Sequence, residues 1–569
     1  MIKLFQLQSS YLNVFINMSM NKTLIIFLII FFCFSCSRNI DSENSKTVFK
    51  YNEASGISSL DPAFAVNQAN IWGVNQLFNG LVQLDEKLEP KPCIAKSWNI
   101  SDDGLTYTFN LRNDVFFHDN DAFENGKGRK VIADDFVYSF NRLLDPNVAS
   151  PGAWIFNNVS NHQIPDSKKK IYSFKALNDS CLTLKLKHPF PPFLGLLSMQ
   201  YCSVIPHEAV KKYGKDFRRN PVGTGPFKFK MWKEGVKLVY LKNENYFEKS
   251  DNEQLPFLDA VSITFLIDKQ SAFLEFIKGK IDFMSGIDAS YKDELLTKRG
   301  ELNPKYKNKF KLISQPYLNT EYLGIMVDTT KSDFKDNPLI HKAIRKAINY
   351  GFDRKKMLRY LRNNIGTPGN YGMIPLGLPS FDSTKMFGYS YNPDKSRQLL
   401  IEAGFLDLDS LPEITLTTNS EYLDLCKYIQ HQLGEIGISI NINVNPPASL
   451  KELKAQTKLP FFRASWIADY ADAENYLSLF NSKNFCPNGP NYTHFANKEF
   501  DKLYENAQFQ VNDSLRYIQY QKMSNLIMEE SPVIILYYDR VLRFLQNNIY
   551  GLESNAMNLL TLKNVKKSK

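Results

Sequence analysis

Residues 413–445 constrain the fold more than any other stretch of the chain. "EITLTT" (413–418) reads as a strand, and "EYLDLCKYIQHQLGEIG" (421–437) reads as a helix closed by Gly437. "ISININVN" (438–445) then sets Ile438, Ile440, Ile442 and Val444 on one face of a second strand. A strand, a helix and a strand in that order make a βαβ unit, the building block of an α/β protein.

The rest of the chain continues the mixture. "LTYTFNLR" alternates Leu105, Tyr107, Phe109 and Leu111 with polar residues, and "LTLKLK" (182–187) repeats the pattern. "NPDKSRQLLIEAG" reads as a helix with Asn392 to cap it, Pro393 in its first turn and Gly404 to stop it. Ile340, Ala343, Ile344, Ala347 and Ile348 recur at helical spacing, and Asp353 can cap a second helix after the Gly351 break. "ADDF" (133–136) reads as a helix start whose carboxylates suit the positive end of the dipole. Gly223 and Gly225 of "VGTGPF" are expected to supply a tight turn between strands.

A length of 569 residues allows three or four folding units or one large multi-lobed body. Neither repeats nor Pro- or Ser-rich linkers divide it, which favours lobes joined by short crossovers. The formal net charge of +10 is scattered, with short clusters only at "KGRK" (127–130) and "KKK" (168–170). That is a solvated surface, not a nucleic-acid footprint.

The amino terminus speaks to compartment. From Met20, one Lys is followed by an uninterrupted apolar run, Leu24 to Phe34, ending in Phe34-Ser35-Cys36. Eleven apolar residues are too few for a spanning helix, which needs about 20, and they have the layout of a secretory signal peptide. Met18 or Met20 is the expected start of that signal. Ser35 before Cys36 resembles a bacterial lipobox, which implies cleavage at Cys36 and acylation there, although Cys33 stands where Leu is usual. Cys33 and Cys36 also make a C-x-x-C, but an apolar signal segment suits neither redox nor metal chemistry. Five cysteines follow, at 93, 181, 202, 426 and 486, so at least one thiol is expected to be free.

Catalytic signatures are missing. There is no Walker phosphate loop, no H-E-x-x-H and no G-x-S-x-G. The seven His residues never pair at helical or finger spacing, so neither a metal site nor a cofactor is expected. Asp134 and Asp135 are adjacent carboxylates of the kind usually found at surfaces or caps. An exported α/β protein without catalytic motifs is more often a binder than an enzyme.

Six strings then carry a resemblance. "LDPAFAVNQANIWGVNQLFNGLVQLD", "LTYTFNLRNDVFFHDNDAFENGKGRKVIADDFVYSFNRLLDP", "NPVGTGPFKFKMW" with "NENYF", "IHKAIRKAINYGFDRKKML", "GTPGNYGMIP" and "WIADYADAENYL" occur in order. They resemble the oligopeptide- and dipeptide-binding lipoproteins of bacterial ABC importers, from about Tyr51 to the "SPVIILYY" segment at 531–538. The resemblance implies a two-lobed periplasmic-binding-protein clamp with an extra domain. Its expected division is a signal peptide over 1–35 and a lipidated Cys36 with tether over 36–50. Lobe I then takes 51–76, 203–285 and 531–563, the extra domain 77–202, and lobe II 286–530. The chain would cross between lobes near 285 and 531, with ligand-driven hinge closure.

The resemblance also assigns a site. A free peptide needs a buried carboxylate for its amine, a base for its carboxylate and strand-like edges between them. Asp469 matches the residue that pairs with the ligand's α-amino group, and Arg463 the one that reaches the carboxylate end. Trp466 would wall a side-chain pocket, with Tyr470 beside Asp469 in the same site, and water in roomy pockets would tolerate varied side chains. Asp472 and Glu474 are expected at the rim or in structural roles. The expected partners are short peptides, ABC permease subunits and a lipid anchor, with no nucleic acid and a monomeric state.

Relatives of this kind also carry nickel chelates, haem, sugars or antibiotics, and an exported scaffold that has lost its ligand is a further alternative. The chain departs from the family pattern in two places. Met326 stands where many relatives have Asn, and "AFENGKGRKVI" lengthens the loop between His118 and Asp134.

Overall fold

The computed structural model describes residues 46–163, 170–288, 290–330, 334, 337–405 and 411–568. Residues 48–569 cluster as one compact unit. The proposed signal peptide and Cys36 lie outside the described residues.

An eleven-stranded sheet organises the molecule. Its strands are β1 (Val48–Asn52), β2 (Phe227–Lys233), β3 (Lys237–Lys242), β4 (Ala260–Thr264), β5 (Phe283–Ser285), β6 (Phe310–Ile325), β7 (Thr367–Pro368), β8 (Ile414–Thr418), β9 (Ile440–Val444), β10 (Phe461–Ile467) and β11 (Val533–Gln546). They lie in the order β2, β3, β4, β1, β5, β11, β6, β10, β8, β9, with β7 beside β11. The βαβ unit forms as the sequence implies: β8 and β9 are parallel, Ile414 opposite Ile440, and helix Leu423–Gly434 connects them. β1 is parallel to β4 and β5 on the other side of the sheet.

β6 and β11 join the two sides. Each is far longer than the usual strand of about 5–6 residues. The first half of β6 (310–316) pairs only with β11, and from Asn319 onward it pairs with β10 as well. Their ladder is interrupted between Pro316 and Thr320, where the register against β11 shifts. Such a bulge bends a strand and re-aims its side chains. β11 is buried from Val533 to Tyr538 and from Val541 to Leu545, and only Asp539 and Arg540 between them are half-buried. The break in burial therefore falls opposite the bulge.

Local chemistry explains the elements around this sheet. Asn392 accepts from the Lys395 amide at 2.9 Å and caps helix Pro393–Glu402; Asp353 accepts from the Lys356 amide at 3.0 Å and caps Arg354–Leu361. Helix Ala133–Leu143 starts at "ADDF", where the Asp135 carboxylate accepts from the Ile132 amide at 2.9 Å. The alternating segments form a smaller antiparallel sheet, with Thr106–Leu111 between Ala95–Ile100 and Cys181–Lys185, and Phe174–Asn178 outside Cys181–Lys185.

One sequence expectation changes. Gly223 and Gly225 do not adopt the left-handed conformation of a tight turn. They are glycines because the backbone of Leu77 lies against them: a Cβ on Gly223 would fall 2.0 Å from the Leu77 carbonyl oxygen, and one on Gly225 would fall 2.4 Å from its carbonyl carbon. None of the five cysteines from Cys93 onward is in a disulfide among the described residues. Among the described residues no helix is long and apolar enough to cross a membrane.

Candidate functional site

A cavity of about 840 Å³ opens where the two sides of the sheet meet, within the roughly 300–1,000 Å³ of small-molecule sites. One wall comes from Asn52–Ser55 at the end of β1, from Trp72 and from Phe283–Asp288. The opposite wall comes from Leu361, Arg362, Glu421, Tyr422 and Leu425. Tyr317 at the β6 bulge and Tyr537, Asp539, Arg540, Val541 and Leu542 of β11 form its floor.

The floor continues into a chain of charges. Arg463 on β10 pairs with Glu321 on β6, both nearly buried, and its guanidinium carbon lies 3.2 Å from the ring centroid of Tyr422. The Tyr422 hydroxyl donates to Glu321 at 3.3 Å. Asn319 bridges Glu321 at 3.1 Å and Asp539 at 3.4 Å, and Asp539 in turn pairs with Arg362 at 2.9 Å. Burial lifts the Glu321 carboxyl above the ordinary range despite the opposing pull of Arg463. Burial works against the charge on Arg362, but Tyr537 and Asp539 outweigh it and raise its pKa. Near the far end, burial pushes the Lys454 ammonium down to about 8, with Arg463 adding to the effect.

The acidic stretch singled out in the sequence lies just past β10. The Ala468 amide and the Tyr476 hydroxyl both donate to the Leu318 carbonyl, at 2.9 and 2.7 Å, and this pins the Asp469 loop to the β6 bulge. Asp469 is exposed to solvent. Surrounding protein raises its pKa, and the Asn475 amide, 3.5 Å from its carboxylate, pulls the other way. The hydroxyl of Tyr201, in the 77–202 segment, is pushed up to about 12 by burial and then by the Asp469 charge.

The four expected ligand contacts occupy different settings. Trp466 is half-buried, its ring N–H donating to Asn475 at 2.8 Å. Tyr470 is buried, its hydroxyl committed to Glu474 and its ring centroid 6.0 Å from that of Trp154. Arg463 is tied to Glu321, although its buried Nε has no partner among the described residues. None of the four lines the cavity itself; Arg463 meets it through Tyr422, and Asp469 lies near Tyr476, which Tyr317 also approaches. Asp472 and Glu474 are held inside the protein, Asp472 3.4 Å from Arg516 and Glu474 accepting from Tyr470 and Tyr504.

Sequence reasoning passed over Glu321, Arg362, Tyr422, Asp539 and Arg540. Their one visible signal was the "DR" pair that interrupts the apolar run "VIILYYDRVLRFL". Among the described residues no group of three or more His, Cys, Asp or Glu could hold a metal ion.

A two-sided sheet with a charged cavity at its waist is the architecture of a solute-binding clamp. The model of the bacterial extracellular solute-binding proteins, family 5 (middle), matches residues 89–485, and the chain belongs to that family. It is thus an exported solute-binding protein and not an enzyme. The dipeptide-binding protein DppE of Bacillus subtilis is 25% identical over 91% of this chain and 92% of its own. The heme-binding protein A of Haemophilus influenzae is 28% identical, covering 86% and 87%. Among solved structures, the periplasmic binding protein DppA of Helicobacter pylori in complex with the peptide STSA aligns at a TM-score of 0.70 and 23% identity, over 93% of this chain and 99% of that one.

Proposed function

We propose that the protein captures short peptides between two lobes and delivers them to an ABC permease. The supporting observation is the pair of chemistries at the β6 bulge: a reachable carboxylate, Asp469, on one side and a polar, partly cationic cavity floor on the other. A peptide is a zwitterion with an unpaired backbone between its charges, and such a ligand calls for both.

In this reading Asp469 receives the α-amino group, Trp466 walls a side-chain pocket, and Tyr470 packs behind Asp469. Arg463 stands toward the carboxylate end, where it can act directly only if Glu321 shares it. The lobes divide at the doubled strands, with 51–76, 203–285 and 531–563 on one side, 286–530 on the other and 77–202 as the extra domain. Acylation of Cys36 would hold the monomer at the membrane. Chelates, haem and ligand-free scaffolding are the competing readings.

Native mass spectrometry of the soluble form beginning at Ser37 tests the proposal. A ladder of added masses that fragments as short peptides is expected. A single non-peptide mass, or none after refolding and exposure to a peptide panel, refutes it.

A further inference from the structure

We propose that Arg540 is the cation that receives a carboxylate of the ligand at the cavity floor; the identification of that ligand as a peptide rests on the function proposed above. Three other basic groups near the floor are each held by an acid, and Lys292 on the lining forms no ion pair among the described residues but donates to the Leu361 carbonyl at 3.4 Å. Arg463 faces Glu321, Arg362 faces Asp539 at 2.9 Å, and Lys269 on the wall faces Asp288 at 2.9 Å. Arg540 forms no ion pair among the described residues. Its Nε and Nη2 donate to the hydroxyl and the carbonyl of Ser314, both at 2.9 Å. Those two bonds fix the plane of the guanidinium and leave Nη1 uncommitted among the described residues. The side chain lines the cavity at the half-buried step of β11, beside the bulge.

A comparison along the same strand separates this arrangement from ordinary burial. Arg543 also lacks an acidic partner, but it is fully buried and donates to the Glu553 and Leu559 carbonyls and to the Asn558 side chain, at 2.8–3.0 Å. Its charge is dispersed into fixed dipoles, away from any ligand. Arg540 has one such residue to hold it and a cavity in front. Burial alone lowers its pKa, with no acid to offset it, whereas Arg362 is supported by Asp539. A half-buried guanidinium held in plane and lacking an anion is a receptor for a carboxylate, which can accept two of its N–H groups. The carboxylate can be a peptide's carboxyl terminus or an acidic side chain.

The test uses calorimetric titration of the full chain in detergent, wild type and Arg540→Gln, with three tripeptides. These are a neutral tripeptide as the free acid, the same peptide as its C-terminal amide, and that amide with Glu at the middle position. Wild type is expected to prefer the free acid over the amide by about 10- to 100-fold, the range for a hydrogen-bonded charge. Arg540→Gln should reduce that ratio to within about twofold at unchanged thermal midpoint, and Arg540→Lys should keep part of it. If the glutamyl amide matches the free acid, the accepted group is a side chain. Equal acid-to-amide ratios in wild type and Arg540→Gln overturn the assignment. Should neither protein bind any peptide, the peptide reading itself fails, and Arg540 is then judged on copurified solutes seen by native mass spectrometry. Anionic adducts lost in Arg540→Gln support its role, and adducts equal in both proteins refute it.

Discussion

Replacing Asp469 by Asn separates the cost of a binding group to the empty protein from its value to the complex. The substitution removes one charge and leaves the shape. Among the described residues the carboxylate has one side-chain hydrogen bond, from the Asn475 amide at 3.5 Å, and the Asp469 amide donates to the Asn475 oxygen at 3.2 Å. The protein packed around this solvent-exposed carboxylate holds its pKa above the ordinary value. A carboxyl whose folded pKa is raised contributes stability that is fully present below the unfolded pKa and is lost as pH rises through the folded one. At neutral pH the ionised Asp469 is therefore a net liability to the unliganded fold, and Asp469→Asn should raise its thermal midpoint.

Binding should move the other way. Truncating one partner of a buried charge pair costs about 2–5 kcal/mol. Because Asp469 is exposed in the unliganded cleft, solvent screening puts it toward the lower end, about 2–3 kcal/mol, or about 30- to 150-fold in Kd. The assay is calorimetric titration with a tripeptide and its N-acetyl derivative, which carries no ammonium. Acetylation should weaken binding to wild type by that factor and leave binding to Asp469→Asn nearly unchanged. Wild-type affinity should also fall as pH drops through the raised pKa of Asp469, and the variant should be flat across that window. An acetylation penalty equal in both proteins would refute the amine anchor, whatever happened to the thermal midpoint.

Two further predictions concern the scaffold. Glu321→Gln strands the buried Arg463 charge and should cost about 3–5 kcal/mol in urea unfolding, most of it recovered in the pair Glu321→Leu with Arg463→Met, since an apolar pair can replace a buried ion pair. Gly223→Ala drives a methyl group against the Leu77 carbonyl, 2.0 Å from the ideal Cβ position; backbone cannot rotate away as a side chain can, so the cost should reach about 3 kcal/mol, the top of the usual overpacking range, read by the same unfolding experiment.

What the sequence disclosed follows from the range of the forces involved. Asn392 and Asp353 could be placed at helix starts because a cap bonds a residue three positions away. The β8–helix–β9 unit was legible because its periodicity and its glycine stop are local. Gly223 and Gly225 were misread as a turn because their partner, Leu77, is remote in sequence, and nothing in "VGTGPF" encodes that contact. The charged floor was hidden for the same reason. Glu321, Arg362, Arg463 and Asp539 come from four separate segments, and their pairing exists only once β6 lies between β10 and β11. Arg463 was singled out through a resemblance, yet its internal partner could not be read from the chain.

The pairing pattern itself narrows the ligand. A clamp that neutralises most of its own floor charges leaves few positions at which a solute can gain electrostatic energy. Arg463 and Arg362 are each held by an acid, so an anionic ligand gains little there that is not lost by displacing Glu321 or Asp539. Asp469 and Arg540 are two exceptions, alongside Lys292, Glu53, Glu421 and Asp424 on the cavity lining, which form no ion pair among the described residues. Asp469 and Arg540 lie on opposite sides of the bulge that carries Tyr317, the first tied to it through Ala468 and Tyr476, the second through Ser314. A solute that satisfies both must carry a cation and an anion separated by a linker that passes Tyr317, and a peptide has that form. The length of peptide preferred should then be the one whose terminal charges span the bulge. A ligand with one charge should leave either Asp469 or Arg540 unpaired and bind correspondingly less well.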